Sequence, residues 1–435
     1  MAEKGKADIR ERLRRLGVHK GAGHLARTRT RVDVEPLPVH TPTPPLHESP
    51  TPASALSTAP FDPHAPLWNL QLPTVAGDAY VRRTCYPPDH RHGAWSLAQA
   101  LQHPPQLLTR LGGNAPVELR NALFLDTETT GLAGGAGTLV FLVGIGYFVG
   151  DSSVDGVPPG SFVVDQFFLP DPVEEAAMLC ALDERVNQSG ALVTFNGRGF
   201  DVPLLETRFT LARMAPSFAD HAHLDLLMPA RRAWRVELAS CSLSSLEFHM
   251  LDVRREQQDI PGFLIPQLYR EYLATHDPAE MQRVMYHNLH DILSMVSLVS
   301  RLCSAISAPR NAGEYLAAGL YEESAGRPDD ALAVYRTALT AISSPGSPLY
   351  RRIVYRMACC LKQQERRADA APYWQQLAEG GDLDAWVELA KHYEWHDVDL
   401  QQALVCATRA LALSRDALTR TEINHRIARL QRKLR

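Results

Sequence analysis

A run of apolar residues that carries two acids and stops at a glycine constrains this chain more than any other stretch: Leu123-Phe124-Leu125-Asp126-Thr127-Glu128-Thr129-Thr130-Gly131-Leu132. As a β-strand it alternates its side chains, so Asp126 and Glu128 share one face and aim at one point. Two carboxylates that close repel, and each resists ionisation unless a cation lies between them. Burying two unpaired acids in a hydrophobic strand for packing alone is costly. The pair therefore predicts a divalent metal ion held by hard oxygen donors, against the simpler alternative of a chance pair at a solvated strand end.

The surrounding pattern reads as α/β from Asn121 onward. Strand-like runs occupy Leu123 to Asp126, Thr138 to Val149, Ser161 to Leu169 and Ala191 to Phe195, with an amphipathic helical stretch from Val173 to Val186 before the last. Helical segments follow at Val202 to Arg213, Leu243 to Met250, Pro266 to Ala274 and, the longest, Pro278 to about Ala305. Three strands and then helices alternating with a strand predict a mixed sheet flanked by helices, not a doubly wound one.

Composition divides the rest. Residues 1–32 form a basic arm, with ten Lys or Arg against Glu3, Asp8 and Glu11. Such an arm can lie along phosphates or remain a solvated tail. Residues 33–66, with ten prolines between Glu35 and Pro66, have the makeup of a linker that cannot bury enough apolar surface to fold. Residues 67–117 are expected to pack as an extension on the α/β domain of residues 118–305. The H-x-H of His90 and His92 there has no Cys or acid at ligand spacing.

Residues 310–435 read as wholly helical and repetitive. Gly319 and Ala331 lie twelve apart, as do Ala358 and Ala370, and an aromatic follows four positions later, Tyr335 or Trp374. A third unit runs from Trp386 through Tyr393 to Ala403, and a capping helix is expected from Ile423. The spacing resembles tetratricopeptide repeats, in which small residues let paired helices approach closely; a generic helical bundle is the alternative.

The net charge of −4 does not favour wholesale nucleic-acid binding. Seven scattered cysteines, with no C-x-x-C pair, suit a reducing compartment and argue against a disulfide frame or a zinc site. The N-terminus lacks an apolar signal core, and the longest hydrophobic run, Leu139 to Val149, is too short to span a bilayer. A cytoplasmic protein without a membrane partner is expected.

Two acids do not complete a two-metal site. Asp201, in Asn196-Gly197-Arg198-Gly199-Phe200-Asp201, follows the fourth strand and opens a helix, where ligands gather and where a plain helix cap would also stand. Asp291 lies on the long helix in Tyr286-His287-Asn288-Leu289-His290-Asp291. Asp225 is expected to begin a helical stretch, as a helix-start acid or an auxiliary ligand. Arg198, Arg208, Arg231 and Arg232 could meet phosphates, with solvated surface as the default.

The order D-x-E on a first strand, N-x-x-x-F-D after a later strand, and His or Tyr shortly before a final Asp on a helix resembles the DEDD superfamily of 3′–5′ exonucleases, which have a ribonuclease H-like fold. The T-T-G-L continuation and the helical repeats behind resemble the bacterial YprB-like branch. The resemblance covers about residues 121–303 and, more loosely, the repeats. It implies that Asp126, Glu128, Asp201 and Asp291 ligate two Mg²⁺ or Mn²⁺ ions, that single-stranded DNA or RNA with a 3′ end is hydrolysed, and that the repeats bind another protein. By analogy, Thr129 and Leu132 would sit near the terminal nucleotide.

The general base departs from the family pattern. One subclass carries His five residues before the last Asp and the other Tyr four before it; here Tyr286 is five before Asp291 and His287 four before. Positions i and i+4 share a helix face, so geometry favours His287, whose unperturbed pKa near ~6.5 also suits proton removal near neutrality. A noncatalytic adaptor and an endonuclease on the same fold are the rivals.

Overall fold

The computed structural model describes residues 66–112, 115–131, 135–150, 157–215, 218–255, 260–342, 344 and 346–435. The expected basic arm and, but for Pro66, the linker lie outside the described residues, as does Leu132.

The acid-bearing run forms strand β5 (Ala122–Thr129), in the middle of a seven-stranded sheet of order β1-β2-β7-β6-β5-β8-β9. Its companions are β1 (Leu70–Thr74), β2 (Gly77–Tyr86), β6 (Val140–Phe148), β7 (Phe162–Phe168), β8 (Ala191–Thr194) and β9 (Ala222–Asp225). Two-residue strands β3 (Arg91–His92) and β4 (Trp95–Ser96) make a separate ribbon, followed by the short helix α1 (Pro105–Arg110). The pairs from β1 through β5 are antiparallel, whereas β5-β8 and β8-β9 are parallel. The mixed sheet is therefore as expected, with three more strands than the sequence reading placed in it.

Helices cover both faces. On one, Phe124, Val193 and Leu224 pack with Trp234 of α4 (Leu227–Trp234) and with Ile292 and Val296 of α7 (Ala279–Ser307). On the other, Leu123, Leu125 and Leu192 pack with Leu179 and Leu182 of α2 (Glu175–Asn187) and with Leu205 and Phe209 of α3 (Asp201–Leu211). Between α4 and α7 lie α5 (Leu243–Leu246), continued by a π-helical turn over Glu247–Leu251, and α6 (Ile265–Thr275). The expected helix over Leu243 to Met250 thus changes its winding at Glu247. By length and composition α7 could cross a bilayer, but most of its apolar stretch is buried in the core.

Two glycines on β6 bring α7 close to the sheet. A Cβ on Gly144 would collide with the Asn288 amide, and one on Gly146 would stand 2.5 Å from Ile292 Cγ2. Asn288 and Ile292 are one turn apart, so a single face of α7 seats on a strip without side chains.

The chain continues as an all-helical region: α8 (Ala312–Ser324), α9 (Pro328–Thr340), α10 (Pro348–Gln363), α11 (Arg367–Glu379), α12 (Leu383–Trp395), α13 (Leu400–Leu413) and α14 (Ala417–Lys433). Ala331, Ala358, Ala370 and Ala403 are all buried, and a side chain on Gly319 would strike the Tyr335 ring. The region joins the sheet domain through Glu314. This fully buried carboxylate pairs with Arg301 of α7 and accepts hydrogen bonds from Trp234 Nε1 (3.1 Å) and the Arg310 amide (2.8 Å).

Candidate active site

Because β5, β8 and β9 run parallel, their C-terminal ends open on one edge of the sheet, the usual place for a site in such topologies. Asp126 pairs in register with Gly144 and Glu128 with Leu142, just before a bulge between Glu128 and Thr129. The missing side chain at Gly144 admits Asn288, which donates its Nδ2 to Asp126 Oδ2 at 2.9 Å and accepts from Gln166 Nε2 at 2.9 Å. Asn288 has no exposed surface. One turn on from His287, Asp291 brings its Oδ2 to 3.7 Å from His287 Nε2.

Arg255 joins these residues. Its guanidinium is paired with Asp291 and lies 3.1 Å from His287 Nδ1. Glu247 holds it from behind in a two-pronged contact at 2.6 and 2.8 Å, the planar geometry that makes such pairs strong. Glu247 also accepts from Ser294 Oγ at 2.5 Å, and Ser294 lies 2.8 Å from His92 Nε2. Burial holds His92 well below the usual imidazole range, with the charges of His290 and Arg255 adding to the effect. His92 thus works as an uncharged link in a buried chain of hydrogen bonds.

Asp201 arrives from the opposite flank of β5. Thr127, which alternation turns away from Asp126 and Glu128, donates its hydroxyl to Asp201 Oδ1 at 2.5 Å. The loop ahead of Asp201 turns tightly: Asn196 has a φ of 70°, and a Cβ on Gly197 would stand 2.5 Å from that of Thr194. Asp225 pins this loop, accepting from the amides of Asn196 (2.9 Å), Arg198 (3.1 Å) and Leu227 (3.0 Å). Asp225 therefore closes β9 and, through the amide of Leu227, the first residue of α4, also stands at a helix start, with its oxygens on backbone amides.

The acids feel one another. Asp126 lines the cleft, together with Asp291. Burial, then the charges of Asp291, Asp201 and Glu128, hold the Asp126 carboxyl well above the ordinary range, and the Asn288 amide opposes this. Burial pushes Glu128 up to about 8; His287 and Arg255 counter it, while Asp291 and Asp201 add to it. Asp201 rises to about 6 through burial, moderated by the hydrogen bond from Thr127 and by backbone amides. A cleft of about 730 Å³ opens beside Asp126 and Asp291, bounded by Phe195, Asn196, Arg231 and Arg235.

Residues 123–303 match the RNase_H superfamily model RNase_H_2. Along its length the chain is 31% identical over 384 residues to the uncharacterized protein YprB of Bacillus subtilis (strain 168), spanning 83% of this chain and 88% of that protein. The chain belongs to the YprB family. Its sheet domain is ribonuclease H-like, a nuclease-like fold.

In this YprB-family chain, Asp126, Glu128, Asp201 and Asp291 are electrostatic neighbours, and His287 lies among them. Tyr286 instead lays its ring on His290, with centroids 4.1 Å apart. Among the described residues, no three His, Cys, Asp or Glu side chains form a ready-made metal cage. Three of the acids have other partners: Thr127 bonds Asp201, Asn288 bonds Asp126 and Arg255 pairs with Asp291.

Sequence reasoning missed Asn288, Arg255 and Glu247. Asn288 left a trace, as an amide inside an apolar helical stretch. Arg255 and Glu247 left none, since their roles depend on pairing with α7, Arg255 to Asp291 across 36 positions and Glu247 to Ser294 across 47. Of the arginines considered for phosphate, Arg198 is tied to the carbonyls of Gly112 and His223, Arg208 pairs with Glu175, and Arg232 stacks over Tyr321. Arg231 lines the cleft.

Proposed function

We propose that this protein is a divalent-metal-dependent nuclease that removes nucleotides from the 3′ end of single-stranded DNA or RNA. The observation that carries the reading is the group of carboxylates at the open edge of the sheet, where burial and the charges of Asp201 and Asp291 raise the proton affinity of Asp126 and Glu128. Such a group is poorly matched to water alone and well matched to hard cations, and its all-oxygen donors suit Mg²⁺ or Mn²⁺. Asp126, Glu128, Asp201 and Asp291 would hold two ions once their present partners yield. When bound, the ions supply positive charge to the phosphate and to the departing 3′ oxygen.

The remaining work falls to the chain's own side chains. His287, beside Glu128 and Asp291, takes the proton from the attacking water. Asn288 fixes the rotamer of Asp126 from the rear, and Arg255, braced on Glu247, orients Asp291 and His287. The 3′ polarity rests on the order of the three acidic segments, which is that of DEDD exonucleases. The helical region, with small residues where its helices meet, is assigned to tetratricopeptide-like binding of a protein partner, and the whole to the cytoplasm.

The test is digestion of 5′-labelled single strands of DNA and RNA by the purified full chain with Mn²⁺, resolved by size. A ladder shortening from the 3′ end is expected, with no cleavage by Asp126→Asn of unchanged melting temperature. Internal fragments would indicate an endonuclease, and an inert wild-type protein an adaptor. Unchanged cleavage by Asp126→Asn would remove the site from consideration.

A further inference from the structure

We infer that the cleft beside Asp126 and Asp291 is the track of the nucleic-acid backbone, with Arg231 and Arg235 as its phosphate clamp. The inference rests on the nuclease reading and specifies how the strand is held. Arg231 lies in the last turn of α4 and Arg235 immediately follows the helix, four positions on, so both side chains leave from one face. Both are exposed and both line the cleft. Among the described residues neither makes an ion pair or a side-chain hydrogen bond, whereas Arg198, Arg208 and Arg232 are each engaged elsewhere.

Two acids and two unengaged guanidinium groups line one cleft. An anion that satisfied them by simple attraction would be repelled by Asp126 and Asp291. A chain of phosphates avoids this conflict: one phosphodiester lies at the acids, where the cations would be, and its neighbours lie on the arginines, whose planar forks match phosphate oxygens. The rest of the lining suits such a ligand. Ser240 and Ser242 present hydroxyls, Asn196 an amide and Phe195 a ring on which a base can stack. At about 730 Å³ the cleft falls in the size range of sites that enclose a small ligand, so it accommodates the end of a strand.

The test is fluorescence anisotropy of a 5′-fluorescein-labelled oligothymidylate and its RNA counterpart with the full-length protein in EDTA, where cleavage is suppressed. Arg231→Gln/Arg235→Gln is expected to bind at least tenfold more weakly. Its salt dependence should be shallower by about 1.4 in log–log slope, at ~0.7 for each lost phosphate contact to a single strand. Melting should be unchanged, because both side chains are exposed. Arg409→Gln, exposed on α13, removes a charge elsewhere and should leave binding as it is.

Equal affinity and slope in the double variant would overturn the clamp. So would a wild-type protein that binds neither strand. Displacement of the strand by thymidine 5′-monophosphate at equal phosphate concentration would make the cleft a mononucleotide site instead, and would also overturn it. The two readings fail separately. Loss of binding in the double variant with no cleavage by the wild type keeps the clamp and removes the nuclease, and cleavage by a double variant that binds normally does the reverse.

Discussion

Glu128 holds a proton in the folded chain that it gives up on unfolding, and stability follows from this difference. Its carboxyl is pushed up to about 8 from an ordinary 4.5, mainly by burial. Its contribution is therefore fully present below about 4.5 and is lost as the pH rises through about 8. In EDTA the melting temperature should fall between about pH 4.5 and about pH 8 and level off above, and Glu128→Gln should flatten that part of the curve. Mn²⁺ should do the same in the wild type, by meeting the carboxylate charge directly. A metal-free curve that is flat in the wild type would show that Glu128 titrates normally. His287 carries a second expectation. His287→Ala should lose about 10²–10⁴-fold in turnover, the usual contribution of a general base, and Tyr286→Phe close to none. The opposite ranking would give the role to Tyr286. Asp126 and Glu128 could be read as a pair because alternation along one strand is a local rule, whereas Asp201 and Asp291 joined them only through the order of the motifs. Arg255 was not legible, because its meeting with Asp291 spans 36 positions and no local rule records it.

Among the elements, the contact of α7 with β6 decides where the last acid stands. Gly144→Ala should push Asn288 away from Asp126, destabilise the fold by about 1–3 kcal/mol as overpacking does, and reduce turnover more than it weakens strand binding. Urea unfolding alongside a separation of kcat from binding affinity would check this, and a variant of wild-type stability and rate would mean that α7 relaxes freely. The central strands announced themselves by continuous apolar runs. Those that escaped notice have physical reasons: β1 is short and includes Pro73, β2 carries Arg82, Arg83 and Thr84 in sequence, and β9 is four residues with a histidine in it. β2 joins the sheet through β7 and β9 through β8, long-range pairings that local patterning does not record, and β1 follows as the hairpin partner of β2. The winding change at Glu247 was equally hidden, since helical periodicity does not distinguish an α turn from a π turn.

In the molecule as a whole, the sheet domain and the helical region share a buried charge. Glu314 of α8 neutralises Arg301 of α7 and accepts from Trp234 of α4. Glu314→Gln would leave Arg301 buried without its counter-charge, at a cost of about 3–5 kcal/mol. The urea midpoint should drop accordingly, and the two regions should lose their common unfolding transition; a midpoint within error of the wild type would mean that the joint carries no load. The sequence marked the division near residue 310 through its change from α/β to all-helical patterning, but not the joint, whose members come from three separate segments. One consequence lies in α7 itself. The same uninterrupted rod carries Asp291 near its middle and Arg301 ten residues further on, about 15 Å away at 1.5 Å per residue. No break in the helix intervenes, so the residue that seats the helical region and the acid at the sheet's open edge ride on one rigid lever, and tilting one end must tilt the other.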